Sequence, residues 1–205
     1  YTVFTIDKQF NNQNNAYLIN THVAHSDGRQ SNATGGELNL INKNKTFSLN
    51  TSGVISDNIY AKGGTYEQGY KYSILLHKVN GTYQYGIGHE VLSNTYNATD
   101  MGFYRIVNVS NTVANFDYNF YYTHKKVISR EGGIEAMYAT NFLSHKPVEV
   151  SLSHNMFTLY KSRFGFYYSI NYSPFHTYDY NETRTPGRYY YRNPLLYGHI
   201  SFSTD

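Results

Sequence analysis

The chain has 205 residues, no Cys and a formal net charge of +3. These leave no disulfide framework or thiolate metal site, and the scattered Lys and Arg give no argument for nucleic acid as a partner. No run of about 18 apolar residues occurs, which excludes a transmembrane helix. The first residue is Tyr1 rather than Met, and no signal-peptide pattern precedes it, so a mature or truncated product is expected. Aromatic residues make up 18% of the chain, with 24 Tyr and no Trp, and they alternate with Ser, Asn, Thr and Gly. Amphipathic rings in that setting suit a membrane interface.

Taken in order, period-two segments fall at 2–10, 15–23, 35–42, 45–56, 66–78, 82–92, 111–123, 133–142, 148–157, 162–173 and 195–204. Segment 45–56 puts Phe47, Leu49 and Ile55 opposite Ser48, Asn50 and Ser52. Segment 82–92 puts Tyr83, Tyr85 and Ile87 opposite Gln84, Gly86 and Gly88. Segment 111–123 puts Phe116, Tyr118 and Phe120 opposite Asn115, Asp117 and Asn119, and segment 162–173 puts Phe164, Phe166, Tyr168 and Ile170 opposite Arg163, Gly165 and Ser169. Such alternation predicts strands with one apolar face. Their lengths exceed the globular average of about 5–6 residues and match the roughly 9–11 residues of a bilayer-crossing strand. Val54, Leu75, Met137 and Tyr167 sit on the polar parity against the pattern.

Connections alternate between short and long, with Asn80-Gly81 a tight-hairpin signal. Short turns on one side and long loops on the other are the outer-membrane pattern; the seventh and eighth connections, at 124–132 and 143–147, depart from it. The expected fold is therefore all-β, an antiparallel up-and-down transmembrane β-barrel forming one domain over residues 1–205. Eleven strands is an odd count, so a fragment of a barrel is expected.

Phe164-Gly165-Phe166 through Asn171-Tyr172, Asp179-Tyr180-Asn181-Glu182-Thr183-Arg184-Thr185-Pro186-Gly187-Arg188-Tyr189, Arg192-Asn193-Pro194 and Tyr96-Asn97-Ala98-Thr99-Asp100-Met101-Gly102-Phe103 resemble a large envelope family of Bacteroidota. The resemblance implies a C-terminal outer-membrane-barrel-like domain of unassigned function, preceded in family members by a domain similar to family-9 carbohydrate-binding modules. It carries no catalytic residues to transfer and assigns no sugar binding to this segment.

Two groups of residues are candidates for function. Glu67, Lys71, Glu90, Asp117, Glu135, Glu149 and Arg163 lie on the polar parity. With lipid on the apolar face they would line a lumen, where they either set selectivity or brace a filled barrel. Segment 174–194 gathers Asp179, Glu182, Arg184, Arg188, Tyr189 and Arg192, a set suited to a binding surface or to ordering the loop by Arg–carboxylate pairs. The acids give no spacing that marks a glycosidase dyad, the nine His form no ligand set, and no nucleophile or phosphate-loop motif is present. An enzyme and a cofactor are not expected. The expected role is an outer-membrane protein acting as a pore, a binding platform or a subunit of an envelope assembly, in contact with outer-membrane lipid, other envelope proteins or glycan. The competing expectation is a soluble β-sandwich that binds carbohydrate.

Overall fold

The computed structural model describes residues 1–11, 13–60, 64–99, 107–122, 126–180, 183, 185 and 187–204. It contains thirteen strands: β1 (Thr2–Asn11), β2 (Asn14–Ala24), β3 (Gln30–Ile41), β4 (Phe47–Ile59), β5 (Tyr66–Lys78), β6 (Tyr83–Leu92), β7 (Val109–Tyr121), β8 (Val127–Asn141), β9 (Pro147–Tyr160), β10 (Gly165–Ser173), β11 (Thr177–Asp179), β12 (Tyr190–Arg192) and β13 (Leu195–Ser203). Eleven of them form a single antiparallel sheet in the order β1-β2-β3-β4-β5-β6-β7-β8-β9-β10-β13, and β11 pairs only with β12. Each long strand thus lies beside its sequence neighbour, as short hairpins require. β1 and β13 are the two edges, and the sheet is not closed. No helix among the described residues is long and apolar enough to cross a membrane.

The sheet has two chemically distinct faces. Cross-strand register puts Leu49, Leu76, Ile87, Ala114, Ala136, Leu152, Tyr172 and Leu196 in one row, and the rows on either side of it are also mainly apolar. The opposite face carries Ser, Asn, Gly and carboxylates. In the central strands the aromatic face is the more exposed: β5 and β6 alternate exposed with sheltered residues, the exposed ones being Tyr70, Tyr72, Ile74 and Leu76, then Tyr83, Tyr85 and Ile87. Sheltering of the smaller polar side chains means the sheet curls around the polar face.

Two of the four residues that break the alternation, Leu75 and Val54, are accommodated by glycines. Leu75 faces Gly88 across β5–β6, where an added Cβ would stand 2.8 Å from the Leu75 side chain. Val54 likewise lies over Gly35 of β3, at 2.9 Å.

There is almost no hydrophobic interior. Among the described residues, the buried apolar ones are Ala33, Val91, Leu92 and Ala139, whereas Ile87 is 55% exposed and Leu76 49%. The accessible surface is 13611 Å². A compact monomer of this mass would have roughly 9,800 Å². The excess follows from a single sheet whose apolar face has no second layer upon it.

Candidate functional site

The connections sort by end of the sheet. Segments 12–13, 42–46, 79–82, 122–126 and 161–164 lie at one end, and 25–29, 60–65, 93–108, 142–146 and 174–194 at the other. All the segments at the first end are short. The longest two, 93–108 and 174–194, lie at the second. The seventh connection, expected at 124–132, is short because β8 begins at Val127. The eighth is short too, at 142–146, and so is the second, expected at 24–34 and found at 25–29 because β3 begins at Gln30.

Residues 93–99, at the start of the 93–108 connection, turn back over the polar face. Asn97 donates its backbone N–H to Ser56 Oγ at 3.1 Å, and Asn58 Nδ2 donates to the Asn97 carbonyl at 3.1 Å. Thr95 Oγ1 donates to the Gln68 carbonyl at 2.7 Å. Gly69 is what admits the crossing: a Cβ there would stand 2.3 Å from the Tyr96 backbone. Ser56 and Asn58 are consequently buried. This strap had no signature in the sequence beyond an Asn- and Thr-rich loop.

The predicted polar-face residues distribute as follows. Glu67, Lys71, Glu90, Asp117, Glu135 and Glu149 all fall on the face carrying Ser56 and Asn58. Lys71 Nζ pairs with Glu90 Oε2 at 3.5 Å, both side chains largely sheltered. Glu67 accepts a hydrogen bond from the Tyr60 hydroxyl, and Glu149 accepts one from Ser151 Oγ at 3.4 Å. Asn115 Nδ2 donates to Asp117. Arg163 is the correction. It sits in the β9–β10 turn with φ 62, its N–H donated to the Tyr160 carbonyl at 2.9 Å, because the chain must reverse before β10 starts at Gly165. The sequence missed Asp7, Glu37 and Glu131, which share the polar face. Strand parity alone would have placed Asp7 and Glu37 there, whereas Glu131 fell in the expected 124–132 connection.

The described residues of the 174–194 loop gather around the small β11–β12 hairpin. Asp179 is buried and pairs with the Arg192 guanidinium. Lys146, from the β8–β9 connection, places its Nζ 4.7 Å from the centre of the Tyr178 ring and 4.9 Å from that of Tyr189. Those rings meet edge to face, and His176 stacks on Tyr191 at 4.7 Å. Of the predicted loop residues, the structure joins Asp179 with Arg192 and puts Tyr189 against Lys146. Arg188 and Tyr189 border a polar recess of about 530 Å³ with Thr183, Thr185, Gly187 and Tyr190. Glu182 and Arg184 lie outside the described residues.

In the β2–β3 connection, Asp27 accepts the Arg29 backbone N–H at 3.1 Å and the Arg29 Nε at 2.7 Å. These bonds, the backbone one foremost, hold its carboxyl below the usual carboxylate range. No group of three or more His, Cys, Asp or Glu among the described residues could hold a metal ion.

The geometry defines an all-antiparallel meander with an uncovered aromatic face and an acidic, partly strapped polar face. The chain belongs to the family described as Domain of unknown function (DUF5916), which matches residues 1–205. No curated protein and no solved structure matches it.

Proposed function

We propose that this chain is the wall of a β-barrel in the bacterial outer membrane, with the aromatic face toward lipid and the polar face lining an aqueous pore. The observation that carries the reading is the uncovered aromatic face, where strand after strand presents Tyr, Phe, Ile and Leu with nothing packed against them. A soluble sandwich would bury that face against a second sheet. About four or five outward rows at roughly 6.7 Å along strands tilted by about 40° give an apolar band near 20–25 Å, comparable to that of known barrels. In lipid both edge strands must be paired, since each unsatisfied backbone group costs several kcal/mol. The reading therefore requires β1 and β13 to close on each other or on additional strands. The long-loop end, with 93–108 and 174–194, is placed outside the cell by the usual topology.

The loop hairpin supports a role as a binding platform alongside the pore: Tyr190 and Tyr191 are more than half exposed, and rings beside Arg188 suit stacking on a sugar. An origin in Bacteroidota and an association with carbohydrate handling remain part of this proposal. No reaction is assigned.

Cysteine accessibility tests the orientation. Cys replacing Ile87 should resist a water-soluble thiol reagent in the membrane-embedded protein, while Cys replacing Gln84 or Ser169 should react. The reverse pattern would reject the assignment. No native Cys interferes.

A further inference from the structure

We infer that the polar face selects cationic solutes over anionic ones. The inference rests on the pore reading above and concerns what passes through it.

Charge is segregated by face. The chain holds 17 Lys and Arg against 14 Asp and Glu, yet the strands direct these to different places. A single cross-strand row on the polar face runs Asp7, Tyr17, Glu37, Ser52, Ser73, Glu90, Asn111, Ala139 and Glu149 through β1 to β9. Glu67, Asp117, Glu131 and Glu135 occupy other rows of the same face. Among the described strand residues, the cation on that face is Lys71, and it pairs with Glu90. Lys8, Lys78 and Arg130 point to the aromatic face, as does one carboxylate, Asp57, while Arg192 lies in β12 and the remaining described cations lie in connections.

A second observation points the same way. Asn111, between Glu90 and Glu149 in the row, has a buried amide oxygen with no hydrogen-bond partner. An orphaned acceptor among carboxylates is satisfied by a donor or a cation, not by an anion. The strap adds no compensating charge, because 93–99 reads Ser-Asn-Thr-Tyr-Asn-Ala-Thr. It crosses over Gly69, beside Glu67. Low-dielectric walls lined by one sign of charge focus the field, and rings of Asp and Glu are how cation-selective pores are built.

The test is the reversal potential of the full-length protein, purified from its own envelope, in a planar bilayer under a KCl gradient. We expect K⁺ to permeate over Cl⁻ by about threefold or more, which corresponds to roughly half a kT of lumen potential, since the same potential enriches the cation and depletes the anion. Glu37→Gln with Glu149→Gln should move the ratio toward unity, and Lys71→Gln should raise it by removing the positive charge beside Glu90. If the double variant fails to fold, Glu149→Gln alone, at an exposed position, gives the same readout. A pore that prefers Cl⁻, or one whose ratio ignores these substitutions, overturns the inference and leaves the pore reading standing. Absence of any conductance, with no liposome swelling in small sugars, defeats the pore reading and this inference with it.

Discussion

Replacing Ile87 with Arg probes the lipid-facing assignment at its most sensitive point. Ile87 lies between Leu76 and Ala114 in the row that continues through Leu49, Ala136 and Leu152. No carboxylate occupies that row to pair with a guanidinium. At the midplane of a bilayer the substitution should cost about 2–4 kcal/mol, or roughly 30- to 900-fold in the folding equilibrium. In water the same change at a side chain 55% exposed should stay within about 0.5 kcal/mol. Ser169→Arg, on the polar face beside Asn155 and His199, is the matched control and should be limited by space alone. Gly86→Arg cannot serve, because even a Cβ there would stand 1.7 Å from the His77 ring. Phe166 is also a weaker probe than its place in the alternation suggests. It shares a row with Arg130 near the short-turn end of the sheet, where Arg should cost only about 0–1 kcal/mol. The assay is a urea titration of folding into lipid vesicles, followed by heat-modifiable gel migration. An Ile87→Arg variant as stable as the Ser169→Arg variant would refute the reasoning.

Other outcomes follow from the loops. Gly69→Ala, which drives a methyl into the Tyr96 backbone, should displace the strap; protease should then cut within 93–108 more readily, and unchanged cleavage would count against the strap. Lys146→Ala should loosen the β11–β12 hairpin by about 0.5–1 kcal/mol of cation–π attraction, read as faster proteolysis within 174–194. The Asp27 carboxyl is held low by Arg29. Its ordering of the 25–29 turn should therefore be complete above the ordinary carboxylate pKa and be lost as pH falls through the depressed value. Asp27→Asn should abolish that pH dependence of turn cleavage.

Most of the sheet was legible because alternation reports burial on one face directly. Every long strand overlaps a segment that period two placed, with β3 and β8 starting earlier than expected, and the Asn80-Gly81 turn joins β5 to β6 with Gly81 at φ 98. The errors share a cause. Arg130-Glu131-Gly132-Gly133 looks like a loop, yet it is the middle of β8. Arg130 Nε donates to Thr158 Oγ1 at 3.3 Å, and the glycines are needed because a Cβ at 133 would meet Asp117 and one at 132 the Tyr118 ring. The start of β3 was hidden similarly. Asn32 and Thr34 are polar on the aromatic face, and Asn20 bridges them by hydrogen bonds at 3.1 and 2.7 Å. The strap and the β11–β12 hairpin depend on partners distant in sequence, for which a local pattern has no term.

The central claim is that lipid covers the aromatic face. The most direct measurement is fractionation of the cells that make the protein, followed by extraction of their envelopes. The account predicts that the protein sediments with the outer membrane, resists high salt and alkaline carbonate, and dissolves only when detergent replaces the lipid. Recovery in the soluble fraction, or release by salt or carbonate alone, would contradict it.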